Sequence, residues 1–262
     1  MHQYLFFIGN FPIRLYGIFF SLGIISGCIT AYFLLKKDRR GWESHMFDLG
    51  LVIAFAGIVG GRLWDVFFFD WEYYHNHLLE IPYIWQGGMA IQGGIIFACI
   101  AAYFYLKKHQ IPVLPFADTV TPGIILGQAI GRIANFMNGD AFGHPTGQDF
   151  GLLYPDTTLA YHTYGAQPLW PAEVWECQGD LLIFVLLLWY GCKTRAEGTT
   201  FCLYIMFYSL LRFFLENYRG DYGTLALSLK SAQITSLAAF AGAFILFLYF
   251  HFKHKSKSGI SE

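Results

Sequence analysis

The chain has 262 residues, 55% of them hydrophobic and 13% charged, and a mean hydropathy of +0.43. Soluble domains carry about twice that charged fraction, so the composition excludes a soluble globular protein and marks an integral membrane protein. The formal net charge of −1 says little, because the distribution of charge carries the information, and no nucleic-acid partner is expected.

Apolar windows long enough to cross a bilayer run over about 13–35, 46–69, 88–106, 113–137, 171–192, 199–217 and 231–252. They predict an all-α membrane protein of seven transmembrane helices, in a single domain covering 1–262. No basic leader precedes the first window and no small-residue cleavage site follows it, so no cleaved signal peptide is expected. Lys36, Lys37, Arg39 and Arg40 follow the first span, and Lys107 and Lys108 the third. Lys193 and Arg195 follow the fifth; Lys253, Lys255 and Lys257 follow the last, in a basic tail over 253–262. In a seven-span arrangement all of these fall on one side. The positive-inside rule then puts the N-terminus outside and the C-terminus in the cytoplasm.

On the outer side, residues 70–87 are rich in interface-seeking aromatics (Trp71, Tyr73, Tyr74, Tyr83, Trp85). Residues 138–170 contain no Lys or Arg and are long for a connection, which predicts a small ordered cap. Gly123, Gly127 and Gly131 recur every four residues, as do Gly57 and Gly61, spacings that let helices approach closely in lipid. The five cysteines, Cys28, Cys99, Cys177, Cys192 and Cys202, all lie in or beside apolar segments and read as packing residues. No metal site is expected. His75, His77, His144 and His162 read as interface or loop residues.

Three polar stripes interrupt the apolar pattern. Residues 131–143, Gly-Arg-Ile-Ala-Asn-Phe-Met-Asn-Gly-Asp-Ala-Phe-Gly, place Arg132, Asn135, Asn138 and Asp140 at the end of the fourth span. A guanidinium at that depth costs about 2.5 kcal/mol or more if isolated, so it has a partner or a task. Gln128, Arg132 and Asn135 share one helix side, a cation beside amides that suits a phospholipid head group. In the sixth span Tyr204, Tyr208, Arg212 and Glu216 recur every four residues, with Arg219 three further on and able to share the Glu216 carboxylate. Glu173, Glu176 and Asp180 open the fifth span, where they either balance the arginines or simply favour the positive end of the helix dipole. Arg62 is expected to pair locally with Asp65. Two glycine pairs flank Gln92 in the Trp85–Gly94 segment and permit close backbone approach.

From about Tyr16 to Ile234 the chain resembles the phosphatidylglycerol–prolipoprotein diacylglyceryl transferase family. The Gly131–Gly143 stretch is similar to the family signature. Gly61-Arg62, Trp85–Gly94, the Tyr208/Arg212/Glu216/Arg219 stripe and Leu227-Ser228 through Gln233 follow in matching order. The resemblance implies transfer of the diacylglyceryl group of phosphatidylglycerol to the cysteine thiol of a prolipoprotein lipobox, in the bacterial inner membrane, without a cofactor. It implies catalytic roles for Arg132, Arg212, Asp140, Glu216, Gln92 and Tyr16, and phosphatidylglycerol binding by Arg132, Asn135, Asn138, Gly143, Tyr208 and Arg62.

Departures from the family pattern are local. Gln92 stands where the family has a histidine, and Asp140 where it usually has glutamate. Trp170-Pro171-Ala172-Glu173-Val174-Trp175-Glu176 replaces a His-Pro-x-Gln-Leu-Tyr-Glu pattern. Glutamine cannot take a proton near neutral pH. The base is then Asp140 or Glu216, or the arginines lower the thiol pKa directly. A paralogue that binds anionic phospholipid without this transfer, or with another acceptor, is the alternative reading. Seven unequal spans without a repeat argue against a secondary transporter.

Overall fold

The computed structural model describes residues 3–9, 11–191, 196–220 and 229–258. They are predominantly helical and belong to two compact units, Met1–Leu34 with Ala117–Glu262, and Leu35–Phe116.

The first unit opens with a hairpin that the apolar windows did not anticipate. Strands β1 (Tyr4–Ile8) and β2 (Phe11–Arg14) pair antiparallel, with Ile8 opposite Phe11 and Tyr4 opposite Arg14. A lone two-stranded hairpin is marginal in water. Here Gln3 ties it down, its Nε2 donating to the carbonyls of Asn138 (3.1 Å) and Thr157 (3.3 Å). Helix α1 (Leu15–Asp38) follows directly.

In the second unit, α2 (Met46–Trp64) runs into a π-helical turn at Asp65–Phe69, followed by the short α3 (Trp71–Tyr74) and by α4 (Ile91–Lys108). Helices α2 and α4 pack through glycines. A β-carbon on Gly61 would meet the Ala90 carbonyl oxygen at 3.3 Å, and one on Gly60 would overlap Phe97 and the Gly93 carbonyl. The loop before α4 is built around Arg62, which is 4% exposed. Its Nε donates to the carbonyl of Ile81 (2.7 Å), Nη1 to Gly87 (2.7 Å) and Gly88 (3.0 Å), and Nη2 to Glu80 (3.1 Å).

The rest of the first unit comprises α5 (Val113–Asn138), α6 (Leu159–Tyr164), α7 (Ala172–Gly191), α8 (Thr199–Leu215) and α9 (Ser231–Ser258). The small residues of α5 face α1: β-carbons on Gly23 and Gly27 would come within 2.7 Å of the carbonyl oxygens of Gly127 and Gly123. A β-carbon on Gly131 would meet nothing within 4 Å, although its backbone nitrogen lies 3.6 Å from where a Gly23 β-carbon would be, so the close approach reaches Gly131 without requiring glycine there. Ile125, Ile183 and Leu187 form a core joining α5 to α7 and α8. The start of α8 is fixed by buried Asp118, whose carboxylate accepts from the amides of Gly198 (2.6 Å) and Phe201 (2.8 Å). Between α5 and α7 the chain is ordered by a second core of Phe142, Tyr154, Ala160 and Leu169.

Among the described residues, five helical stretches are long and apolar enough to cross a bilayer: Leu15–Asp38, Trp42–Phe69, Val113–Asn138, Thr199–Tyr218 and Ser231–Lys255. The chain is thus a helical membrane protein. Helices α4 and α7, 18 and 20 residues long, coincide with the other two expected spans. The first carries Gln92, Lys107 and Lys108, and the second Glu173, Glu176 and Asp180. Lys193, Arg195, Cys192 and Leu227-Ser228 lie outside the described residues.

Candidate active site

Three helices of the first unit bring their polar stripes together. Helix α5 presents Gln128, Arg132 and Asn135, α7 presents Glu173, Glu176 and Asp180, and α8 presents Tyr204, Tyr208 and Arg212, with Glu216 just beyond its end. Three- and four-residue spacing stacks each set on one helix face, and packing of the helices turns those faces inward.

Glu176 is the centre of the cluster. Its Oε1 accepts from Arg132 Nη2 at 2.6 Å and from the Tyr208 hydroxyl at 3.2 Å. Its Oε2 accepts from Arg212 Nη1 at 3.2 Å and lies 3.7 Å from Arg219 Nη1. Arg212 uses its second terminal nitrogen for Glu216 Oε2 at 2.8 Å. One carboxylate thus bridges two guanidinium groups from different helices, and a second holds the far end of Arg212. Of the two options for the α7 carboxylates, Glu176 takes the first and balances the arginines. The expected alignment of Arg219 with Glu216 is altered for a structural reason. Residues Glu216–Tyr218 form a 3-10 turn and Arg219 is extended, so the helical spacing ends before it.

The signature stretch closes on itself. Asp140 Oδ1 accepts from Asn135 Nδ2 at 2.6 Å and Oδ2 from Asn138 Nδ2 at 2.8 Å. The turn that permits this has left-handed backbone at Gly139 (φ 73°) and Ala141 (φ 60°), with both the Gly139 and Asp140 amides donating to the Asn135 carbonyl. Asn135 Oδ1 in turn lies 3.4 Å from Arg132 Nη1. Tyr16 lies on the first turn of α1. Gln128 accepts from the Tyr204 hydroxyl at 3.1 Å.

Gly143 forms a β-bridge with Arg219 and lies against Trp170 so closely that a β-carbon would overlap the Trp170 carbonyl and side chain. Lys230 holds the other side of this turn, its Nζ donating to the carbonyls of Glu216 (2.9 Å) and Arg219 (2.5 Å). Under the same segment the Tyr154 hydroxyl donates to Glu173. Burial and the adjacent Glu173 push the Tyr154 pKa far up, so the hydroxyl stays protonated and remains the donor.

Arg132, Arg212, Glu216, Tyr208, Asn135, Asn138 and Asp140 therefore form one connected network. Arg62 and Gln92 belong to the second unit. Four of the five N–H groups of Arg62 are spent on loop carbonyls, and Nη1 also makes the expected ion pair with Asp65 at 3.9 Å. Gln92 is the second residue of α4 and is exposed. Among the described residues no group of three or more His, Cys, Asp or Glu side chains has the disposition of a metal site. Glu176, Trp170 and Lys230 were not singled out as site residues. Glu176 gave a signal in its spacing from Glu173 and Asp180, whereas the partners of Lys230 are backbone carbonyls, which leave no trace in a sequence.

Residues 3–249 match the family model described as prolipoprotein diacylglyceryl transferase. A phosphatidylglycerol–prolipoprotein diacylglyceryl transferase of Clostridium botulinum is 34% identical over 251 residues, 95% of this chain and 96% of the relative. Relatives of the same name from Halalkalibacterium halodurans (34% over 245 residues, 92% and 84%) and Staphylococcus saprophyticus (35% over 234 residues, 88% and 82%) are similar throughout.

Proposed function

The chain belongs to the prolipoprotein diacylglyceryl transferase family, and we propose that it transfers the diacylglyceryl group of phosphatidylglycerol to the lipobox cysteine of prolipoproteins, the first step of lipoprotein maturation. The observation that carries this reading is the Arg132–Glu176–Arg212 bridge in a helical membrane protein. Two guanidinium groups, each partly open, offer paired donors to the two non-bridging oxygens of a phosphodiester.

In the reaction the cysteine sulfur attacks the glycerol carbon, the carbon–oxygen bond to phosphate breaks, and glycerol phosphate leaves. The thiol proton ends on the departing phosphate, so the step is balanced without a co-reactant. Negative charge grows on the phosphate as the bond lengthens, and Arg132 and Arg212 stabilise it in a site of low polarity. Of the two carboxylates considered as proton carriers, Glu216 has no exposed surface and is held by Arg212. Asp140 is only partly buried and so is the one a thiol can meet. Its two oxygens accept from the side-chain amides of Asn135 and Asn138, which fix its orientation. Asn135 and Asn138 hold Asp140, while Tyr16 and Tyr208 line the head-group approach. Gly143 shapes the turn beside them, and Arg62 builds the loop in front of Gln92.

Seven spans carry this site in the bacterial cytoplasmic membrane, with the N-terminus outside, the C-terminus in the cytoplasm and residues 138–170 as a cap at the outer leaflet. The basic residues after the first, third, fifth and last spans support that orientation. Purified protein given phosphatidylglycerol and a lipobox peptide should yield the diacylglyceryl peptide; a folded preparation that yields none sinks the reading. Gln92 in place of the family histidine favours a second reading, lipid binding without transfer. If Gln92→His creates activity where the natural protein has none, that second reading holds.

A further inference from the structure

Glu176 is the most heavily engaged side chain of the site, and the transfer steps give it no task. Its side chain is 1% exposed, whereas Arg132 keeps 18% and Arg212 14% of theirs. Both arginines therefore keep side-chain surface where Glu176 has almost none. An incoming anion meets two arginines already joined by a carboxylate that has no surface of its own to offer. The opposite role, a stand-in anion that the lipid phosphate must displace, would require a carboxylate on the open side.

We propose that Glu176 is a positioning residue that sets the spacing and orientation of Arg132 and Arg212 so that both grip one phosphodiester. The proposal rests on the phosphatidylglycerol reading of the site. The physical argument is that two guanidinium groups on separate helices repel each other and have long, freely rotating stems. Glu176 offsets the repulsion with one oxygen for each arginine (2.6 and 3.2 Å). The Tyr208 hydroxyl, 3.2 Å from Oε1 and 3.4 Å from Arg132 Nη2, braces the same corner. Donors fixed in advance need no rearrangement when phosphate charge develops.

The sign of the effect makes the proposal testable. Removing a carboxylate from an anion site raises its positive charge, and charge alone predicts tighter binding of an anionic lipid. Positioning predicts weaker binding. The full-length protein and Glu176→Gln are compared for binding of short-chain phosphatidylglycerol without peptide, against phosphatidylcholine as the uncharged-head control, and for kcat with a lipobox peptide. Glu176→Gln should weaken phosphatidylglycerol binding about tenfold, the loss expected for one misaligned hydrogen bond to a charged group. It should also lower kcat about 100-fold, as misplaced reacting groups do. Unchanged or tighter phosphatidylglycerol binding overturns the proposal whatever kcat does. Should Glu176→Gln not fold, Glu176→Asp carries the test: it keeps the charge but is one methylene too short to hold both arginines, so binding should weaken about threefold to fivefold, and no loss overturns the proposal. If wild type binds phosphatidylglycerol but transfers nothing, the transfer reading fails while the binding comparison still decides the role of Glu176.

Discussion

Gly143 and Trp170 lie in such close contact that residue 143 has no room for a side chain: a β-carbon there would overlap the Trp170 carbonyl oxygen and its Cβ. Its backbone also bridges to Arg219, and the neighbouring His144 amide donates to the Tyr218 carbonyl at 2.9 Å. Gly143→Ala must therefore push apart the turn that carries Arg219 and the segment that carries Trp170. Overpacking of this kind costs about 1–3 kcal/mol. Because the displaced turn begins at Glu216, the Arg212–Glu216 pair moves with it. The variant should remain membrane-inserted, unfold at lower temperature, and lose transfer activity by more than its loss of folded protein. Activity that falls only in proportion to folded protein would confine Gly143 to packing.

Arg132 and Arg212 share Glu176 but approach it from different helices, so neither can replace the other. Arg132→Ala and Arg212→Ala should each reduce transfer by about 10²–10³-fold or more, the range for loss of one donor to a developing oxyanion. Lysine keeps the charge but not the planar fork, so Arg132→Lys should recover little. Rates measured with saturating lipobox peptide at several phosphatidylglycerol concentrations check this, and full activity in either alanine variant removes that arginine from the mechanism.

The helices and the polar stripes were legible because both are written at short range: about twenty apolar residues in a row, and polar residues every three or four. Arg62 shows where that legibility ends. Asp65, its neighbour in sequence, does pair with it at 3.9 Å, but the guanidinium is filled by carbonyls 18 to 26 residues away, which no local spacing encodes. Glu176 is an intermediate case. Its face of α7 was readable, yet the choice between helix dipole and arginine partner depends on which helices pack against it. The hairpin of β1 and β2 was missed because its strands are short and most of their large side chains are exposed, leaving no alternation to detect.

Tyr154 and Glu173 form a buried pair in which the hydroxyl is the donor and Glu173 has no exposed surface. Tyr154→Phe leaves that carboxyl group without the phenol and should cost about 1–3 kcal/mol of stability, the desolvation of an unpaired buried acceptor. Replacing both partners with apolar groups of similar size removes the unpaired acceptor as well. The double variant Tyr154→Phe with Glu173→Leu should therefore be more stable than Tyr154→Phe alone. Thermal unfolding in detergent compares the three proteins. A double variant weaker than the single would show that Glu173 has a further partner that matters more.

Arg62→Ala tests the second unit. The substitution leaves the carbonyls of Glu80, Ile81, Gly87 and Gly88 facing a space from which their donor has gone, and removes the cation 4.9 Å above the Tyr74 ring. Hydrogen bonds from a charged group contribute about 1.5–3 kcal/mol each when lost from a buried setting, though not additively. A loss of about 3 kcal/mol or more in unfolding stability is expected, with the 80–90 segment becoming the first to exchange its amide protons. Arg62→Lys reaches one or two of the four carbonyls and should recover only part of the loss. If Arg62 instead served mainly to bind lipid, the alanine variant would keep its stability and protection pattern and lose affinity for phosphatidylglycerol. Hydrogen exchange on the segment and lipid binding, measured on the same preparation, separate the two.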